Sequence, residues 1–266
     1  MGKNYIYVKG AEFPYQYKYE HMAVTTDCVI FTYEDWTLKV LLVRRGGEPY
    51  KGEWAFPGGF MKLDETAKEG ALRELWEETS LETSAVRELG VFSDVDRDPR
   101  ERVITIAYYA LIKPSEVIGG DDAEEAAWFT IDKLPVLAFD HQKIFDAAMQ
   151  RLRRDIHFEP VGFDLLDDEF TIPDLQRLYE IILGTKFDRR NFQRKVFASG
   201  ILEEAPKEEE PAIEACEAPM PMMMASMSFE EAAPKPKKRP GRIASLFRLN
   251  KAKYDAMKEE GDKYEF

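Results

Sequence analysis

Three glutamates, Glu74, Glu77 and Glu78, recur within the run Arg73-Glu-Leu-Trp-Glu-Glu-Thr-Ser80 at spacings of three and four residues. On a helix such spacing places the side chains next to one another, where like charges repel by about 0.2–0.5 kcal/mol per pair. A hard divalent cation offsets that repulsion. Mg2+ and Mn2+ take clustered carboxylate oxygens and leave positions open for waters and substrate phosphates. The competing reading of an acidic run is a solvated helix face.

The elements that must position these carboxylates are legible around them. Gly58-Gly59 closes a strand, and Ala67, Ala71, Leu72 and Leu75 repeat at helical spacing, so Glu65 to about Thr79 is an expected amphipathic helix. Upstream, Ala23–Tyr33 and Leu38–Arg45 are β-branched or apolar runs joined by Glu34-Asp35-Trp36, which predicts a hairpin. Downstream, strands are expected over Ala85–Phe92, Arg102–Ile112 and Ala126–Thr130, and a helix over Asp140–Arg154. This order predicts a mixed sheet with helices on its faces.

The spacing from Gly59 through Glu65 and Arg73-Glu74 to Glu77-Glu78 resembles, position by position, the Nudix box G-x5-E-x7-R-E-U-x-E-E-x-G-U, with U a bulky aliphatic residue. One position departs: Ser80 stands where the family has glycine, which is expected to tighten or move the helix cap. The resemblance implies the Nudix α/β/α sandwich and hydrolysis of a nucleoside diphosphate linked to another group, with Mg2+ or Mn2+ as cofactor. It makes Glu74, Glu77, Glu78 and the Gly59 carbonyl the metal ligands, and Glu65 and Arg73 a pair that holds them in place. An ordinary surface ion pair is the alternative for Glu65 and Arg73.

Segments around Asp96–Arg102, Asp121–Phe129 and Leu137–His141 resemble those of ADP-ribose pyrophosphatases and of related transcription regulators. By that likeness Glu124 or Glu125, of which Glu125 matches better, is a candidate further ligand or base, with an exposed acidic loop as the alternative. Arg45, Arg97, Arg100 and Arg102 are candidate phosphate or ribose contacts, because guanidinium forks match phosphate oxygens, and at least one is expected to be structural. His141 reads as a capping or packing residue.

Beyond Asp155 the sheet pattern stops. Thr171 and Pro173 open a helix that ends at Gly184, and a basic helix follows from about Asp188 to Gly200, which together suggest a helix-turn-helix. Residues 203–235 are Glu-, Pro-, Ala- and Met-rich and are expected to be a disordered insertion. The charge then inverts around Lys237, Lys238, Arg239 and Arg242, which resembles the wing of a winged helix with strands near Ile201-Leu202 and Ile243–Leu249. Arg189, Arg190, Asn191, Arg194 and Lys195, with those wing residues, are the expected DNA-facing surface. Phe192, Val196 and Phe197 are expected to face the core.

The expected layout is therefore an N-terminal Tyr-rich extension over 1–20, a Nudix domain over 21–155, and a winged-helix domain over 156–202 and 236–266. It resembles bacterial Nudix-related regulators of NAD or sugar metabolism, many of which have an eroded box and only bind a ligand; here the box is intact. Two functions follow: a Mg2+-dependent pyrophosphohydrolase, with ADP-ribose as substrate, or a DNA-binding regulator that senses ADP-ribose or a sugar such as arabinose. Both groups commonly form homodimers. The net charge of -13 over 266 residues disfavours non-specific nucleic-acid attraction by the whole molecule but leaves a local patch open. Cys28 and Cys216 offer neither a disulfide framework nor metal spacing, and no signal peptide, myristoylation motif or membrane-length run is read, so a cytoplasmic protein with no membrane partner is expected.

Overall fold

The computed structural model describes residues 5–7, 15–17, 19–120, 123–206, 245–260 and 264. Two short strands, β1 (Tyr5–Tyr7) and β2 (Tyr15–Tyr17), pair with each other antiparallel within the Tyr-rich extension.

The main sheet is built on β3 (Ala23–Glu34). The expected hairpin forms with β4 (Thr37–Arg45) through Asp35 and Trp36, both at positive φ as a two-residue hairpin turn requires. Two short strands that sequence reasoning left out, β5 (Trp54–Ala55) and β6 (Gly58–Phe60), follow. They pair with β4 and with the N-terminal half of β3, and deliver the chain into α1 (Ala67–Thr79). Then come β7 (Arg87–Phe92), β8 (Val103–Ile112), β9 (Ala123–Thr130) and α2 (His141–Phe158). The strand β8 runs parallel to β3 along its whole length, while β7 joins β8 and β9 joins β4 antiparallel.

Alternation along β3 decides the layers. Cys28 and Ile30 pack with Ala71 and Leu75 of α1 on one face, whereas Val29 and Phe31 pack with Ile144, Ala148 and Leu152 of α2 on the other. That is the expected α/β/α sandwich.

The second layer does not end with α2. A 3₁₀ turn (Val161–Leu165), α3 (Ile172–Leu183) and α4 (Arg189–Ala198) continue the same apolar cluster through Leu175, Leu178, Tyr179, Ile182, Phe192 and Val196. Arg153 of α2 donates to the Ile182 carbonyl at 3.0 Å. Thr171 caps α3 reciprocally with Asp174, and Gly184 ends it in the left-handed conformation, as the sequence predicts. The strands β10 (Leu202–Glu204) and β11 (Phe247–Leu249) pair antiparallel, and α5 (Lys251–Glu259) follows. Glu203 and Glu204, expected at the start of the insertion, instead lie in β10, paired with Arg248 and Phe247 of β11. Residues 207–244 lie outside the described residues, and with them Cys216, Lys237, Lys238, Arg239 and Arg242. Among the described residues no helix is long and apolar enough to cross a membrane.

Candidate functional site

The approach of α1 to the sheet depends on two glycines. A Cβ on Gly58 would lie 2.1 Å from the Thr26 carbonyl oxygen, and one on Gly59 would lie 2.6 Å from the Glu74 carboxyl. Only glycine lets the strand pass this close. The helix starts at Ala67, later than the expected Glu65, because Thr66 and Glu69 form a reciprocal capping box. Glu65 stays outside it and accepts from Lys62 N–H (2.7 Å) and from Arg73 through Nε (2.9 Å) and a terminal nitrogen (2.6 Å). The Arg73 hydrogen bonds hold the Glu65 carboxyl down at about 2. At the other end Ser80 takes φ 57° itself, so the cap neither tightens nor moves.

A cavity of about 260 Å³ opens between this helix, the β3–β4 ends and the start of α2. Glu74, Glu78 and Gly59 line it. Glu78 accepts the Gly58 N–H at 2.9 Å, and burial, then the nearby Glu74 and Asp27 carboxylates, push it up to about 8. Burial raises Glu74 as well. Two carboxylates that resist ionising alone, beside backbone oxygen, are the donor chemistry of a hard divalent cation. Of the expected ligands, Glu77 lies outside the cavity lining: it accepts at 2.8 Å from the same Arg73 nitrogen that Glu74 accepts from at 2.7 Å, and has Lys62 at 3.7 Å. Among the described residues no three acidic side chains converge on one metal position.

The four candidate arginines separate. Arg45, Arg97 and Arg100 line the cavity. Arg97 is buried and gives its Nε and a terminal nitrogen to Asp140 at 3.1 and 2.8 Å. Arg100 is paired with Asp98 at 2.7 Å and stands over the Phe60 ring at 5.1 Å. Arg45 donates only to the carbonyls of Pro49 and Gly47, and among the described residues has no carboxylate within salt-bridge distance. Arg102 is spent on the Ser93, Asp94 and Val103 carbonyls outside the cavity, a structural role. Glu125 is exposed on β9 opposite Arg44 and does not reach the lining.

Sequence reasoning missed Asp27, Phe139 and the part played by His141. Asp27 lines the cavity floor, accepts from Thr105 Oγ1 at 2.6 Å and lies 3.8 Å from Arg97. His141 is buried there, and its Nδ1 accepts the Phe56 N–H at 2.9 Å. Because Nδ1 accepts, the ring proton of the neutral imidazole sits on Nε2, which faces Asp27 at 3.6 Å. Burial lowers the His141 pKa and keeps it neutral. The signal in the sequence was a carboxylate in the middle of an apolar strand, since an acid buried between packed faces needs a partner or a role.

In the C-terminal part, Arg189, Arg190, Asn191, Arg194 and Lys195 are all exposed on α4, while Phe192 and Val196 are buried beneath them. Phe197 departs from expectation: it is 39% exposed and meets Phe247 edge-on. Asp188 caps α4 through the Asn191 N–H, which leaves Arg189 and Arg190 in its first turn. The turn before it is fixed by Glu180, which accepts from Gln176 (3.0 Å), the Phe187 N–H (3.0 Å) and Lys186 (2.8 Å).

Comparison with known proteins agrees with this two-part construction. The NUDIX domain family matches residues 22–150, and the family described as NrtR DNA-binding winged helix domain matches residues 162–213. The ADPR responsive transcriptional repressor NtrR of Acinetobacter baylyi is 31% identical over 194 residues, 70% of this chain and 76% of that protein. An ADP-ribose pyrophosphatase of Methanocaldococcus jannaschii is 43% identical over 132 residues, half of this chain (50%) and 76% of its own length. The crystal structure of Shewanella oneidensis NrtR complexed with a 27mer DNA superposes with a TM-score of 0.64 at 28% identity, covering 85% of this chain and 93% of that one. Nudix enzymes generally use a divalent metal such as Mg2+. The chain belongs to the family of Nudix-domain proteins that carry an NrtR DNA-binding winged helix.

Proposed function

We propose that this protein is a cytoplasmic DNA-binding regulator whose Nudix cavity takes ADP-ribose as effector. The observation that carries the reading is the shared core: α2 lines the effector cavity with His141 and packs α3, on which the DNA-reading helix α4 rests. Likeness over both parts to an ADPR-responsive repressor supports it. Arg45 and Arg100 would face the diphosphate, and Asp27 would accept from a ligand hydroxyl. Arg189 and Arg190 would enter the major groove, with Asn191, Arg194 and Lys195 along the same helix and Lys237, Lys238, Arg239 and Arg242 on phosphates. As a homodimer the protein would place two such helices on half-sites about one helical turn or a multiple of it apart. A mobility shift of its own upstream DNA, altered by ADP-ribose, is the test; no shift at low salt with or without the ligand would reject it.

Hydrolysis is the second reading, favoured by the intact box and by likeness to an ADP-ribose pyrophosphatase. Glu74, Glu78 and the Gly59 carbonyl would hold Mg2+ or Mn2+, with Glu77 available on leaving Arg73. The cation would neutralise diphosphate charge and ease ionisation of water. Turnover would be followed with ADP-ribose and Mg2+: its loss in Glu78→Gln supports this reading, whereas saturable binding without turnover leaves the regulator alone.

A further inference from the structure

Phe139 stands immediately before Asp140, the N-cap of α2, with φ 53°, a left-handed backbone conformation that strains an aromatic residue. Such strain persists where the surroundings hold it, and it gathers at ligand sites. Here the ring lines the effector cavity, with the Arg45 guanidinium 4.8 Å from its centroid, that of Arg100 at 5.8 Å, and Tyr50 edge-on at 4.8 Å. Arg45 comes from the end of β4 and Arg100 from the loop before β8, so nothing local in the chain brings them together.

Two cations gathered at one ring repel each other, and the negative face of the ring offsets only part of that repulsion. The rest of their bonding leaves them open to an anion. Asp98 holds one edge of Arg100, and backbone carbonyls hold one edge of Arg45, which fixes both planes without neutralising Arg45. We propose that Phe139 is a positioning residue for a diphosphate-binding pair: its ring holds Arg45 and Arg100 so that both guanidiniums meet the two phosphates of one ligand. The proposal deepens the reading of the cavity as an ADP-ribose site and rests on it for the ligand's identity, but its chemistry needs only a diphosphate. Pre-setting two side chains rich in rotamers spares the entropy of ordering them on binding.

Calorimetric titration of the full chain with ADP-ribose and, separately, with inorganic pyrophosphate tests it. Phe139→Leu is expected to weaken both ligands by the same factor, about tenfold, from two cation–ring contacts, whereas Phe139→Tyr, which keeps a ring, stays within about twofold of the wild type. Phe139→Gly, which fits the backbone without strain, should lose affinity as leucine does and guards against a folding defect. In an Arg100→Lys background the Phe139→Leu change should cost less, a coupling that a merely structural ring would not produce. Pyrophosphate bound equally well by wild type, Phe139→Leu and Phe139→Gly would overturn the proposal, because the ring would then act on another part of the ligand. Ring-dependent pyrophosphate binding in a protein that ignores ADP-ribose would uphold it and reject the ADP-ribose reading.

Discussion

Asp140 occupies the N-cap position of α2, yet its carboxylate makes no cap hydrogen bond and instead accepts twice from Arg97, at 2.8 and 3.1 Å. The side chain that would ordinarily satisfy the first N–H groups of a helix is committed to the cavity floor. Arg97 thereby ties the cavity to the first turn of the helix that seats the winged-helix part.

Both members of that pair are nearly buried, with side chains 4% and 8% exposed. Removing one partner of a buried pair leaves an uncompensated charge. Arg97→Met is expected to destabilise the protein by about 3–5 kcal/mol, and adding Asp140→Asn should recover part of the loss. A double-mutant cycle by chemical denaturation measures this, and additive losses would show that the pair is not coupled.

At the other end of the site, Ser80 takes the left-handed conformation that glycine adopts freely. Ser80→Gly should stabilise by about 0.5–1 kcal/mol, the released backbone strain less the extra entropy of an unfolded glycine. The melting temperature reads it, and an unchanged or lower value would mean that Ser80 is not strained.

Much of this site could be read in the chain. The box glutamates, the hairpin and the capped helices carry their own local rules, and α1, α3 and α4 form there, with α1 starting two residues later than expected. What was not legible depends on contacts distant in sequence. Asp27 meets Thr105 across the sheet, and Phe139 gathers Arg45 and Arg100 only after the sheet has formed. Glu77 sits on the expected helix face and shares Arg73 with Glu74, yet of the two only Glu74 lines the cavity.

The turn that aims α4 should respond to acid. Burial alone would raise Glu180, but Lys186, the Phe187 N–H and Gln176 outweigh it and hold it at about 2, below its ordinary 4.5. A depressed carboxyl contributes stability that is fully present above about pH 4.5 and is lost as pH falls toward 2. The stability difference between wild type and Glu180→Gln should be constant near neutrality and shrink through that window. Thermal denaturation across pH measures it; a difference independent of pH would refute the assignment.

On α4, Arg190→Ala should cost about 1–3 kcal/mol at one base position if it makes a bidentate contact, relaxing specificity there. Neutralising Lys195 should weaken all sequences alike and lower the salt slope by about one. Binding measured against a panel of single-base operator variants at several salt concentrations separates the two effects. Equal losses on every sequence for Arg190→Ala would remove it from base reading.

The most direct measurement of the central claim is the affinity of the full chain for its own upstream DNA, titrated with ADP-ribose in excess EDTA so that metal-dependent turnover is excluded. A cavity and a DNA-reading helix that share one core should be coupled: saturating ADP-ribose should change DNA affinity by about 5–150-fold, and saturating DNA should change ADP-ribose affinity by the same factor. DNA affinity that stays constant while ADP-ribose demonstrably fills the cavity would contradict it.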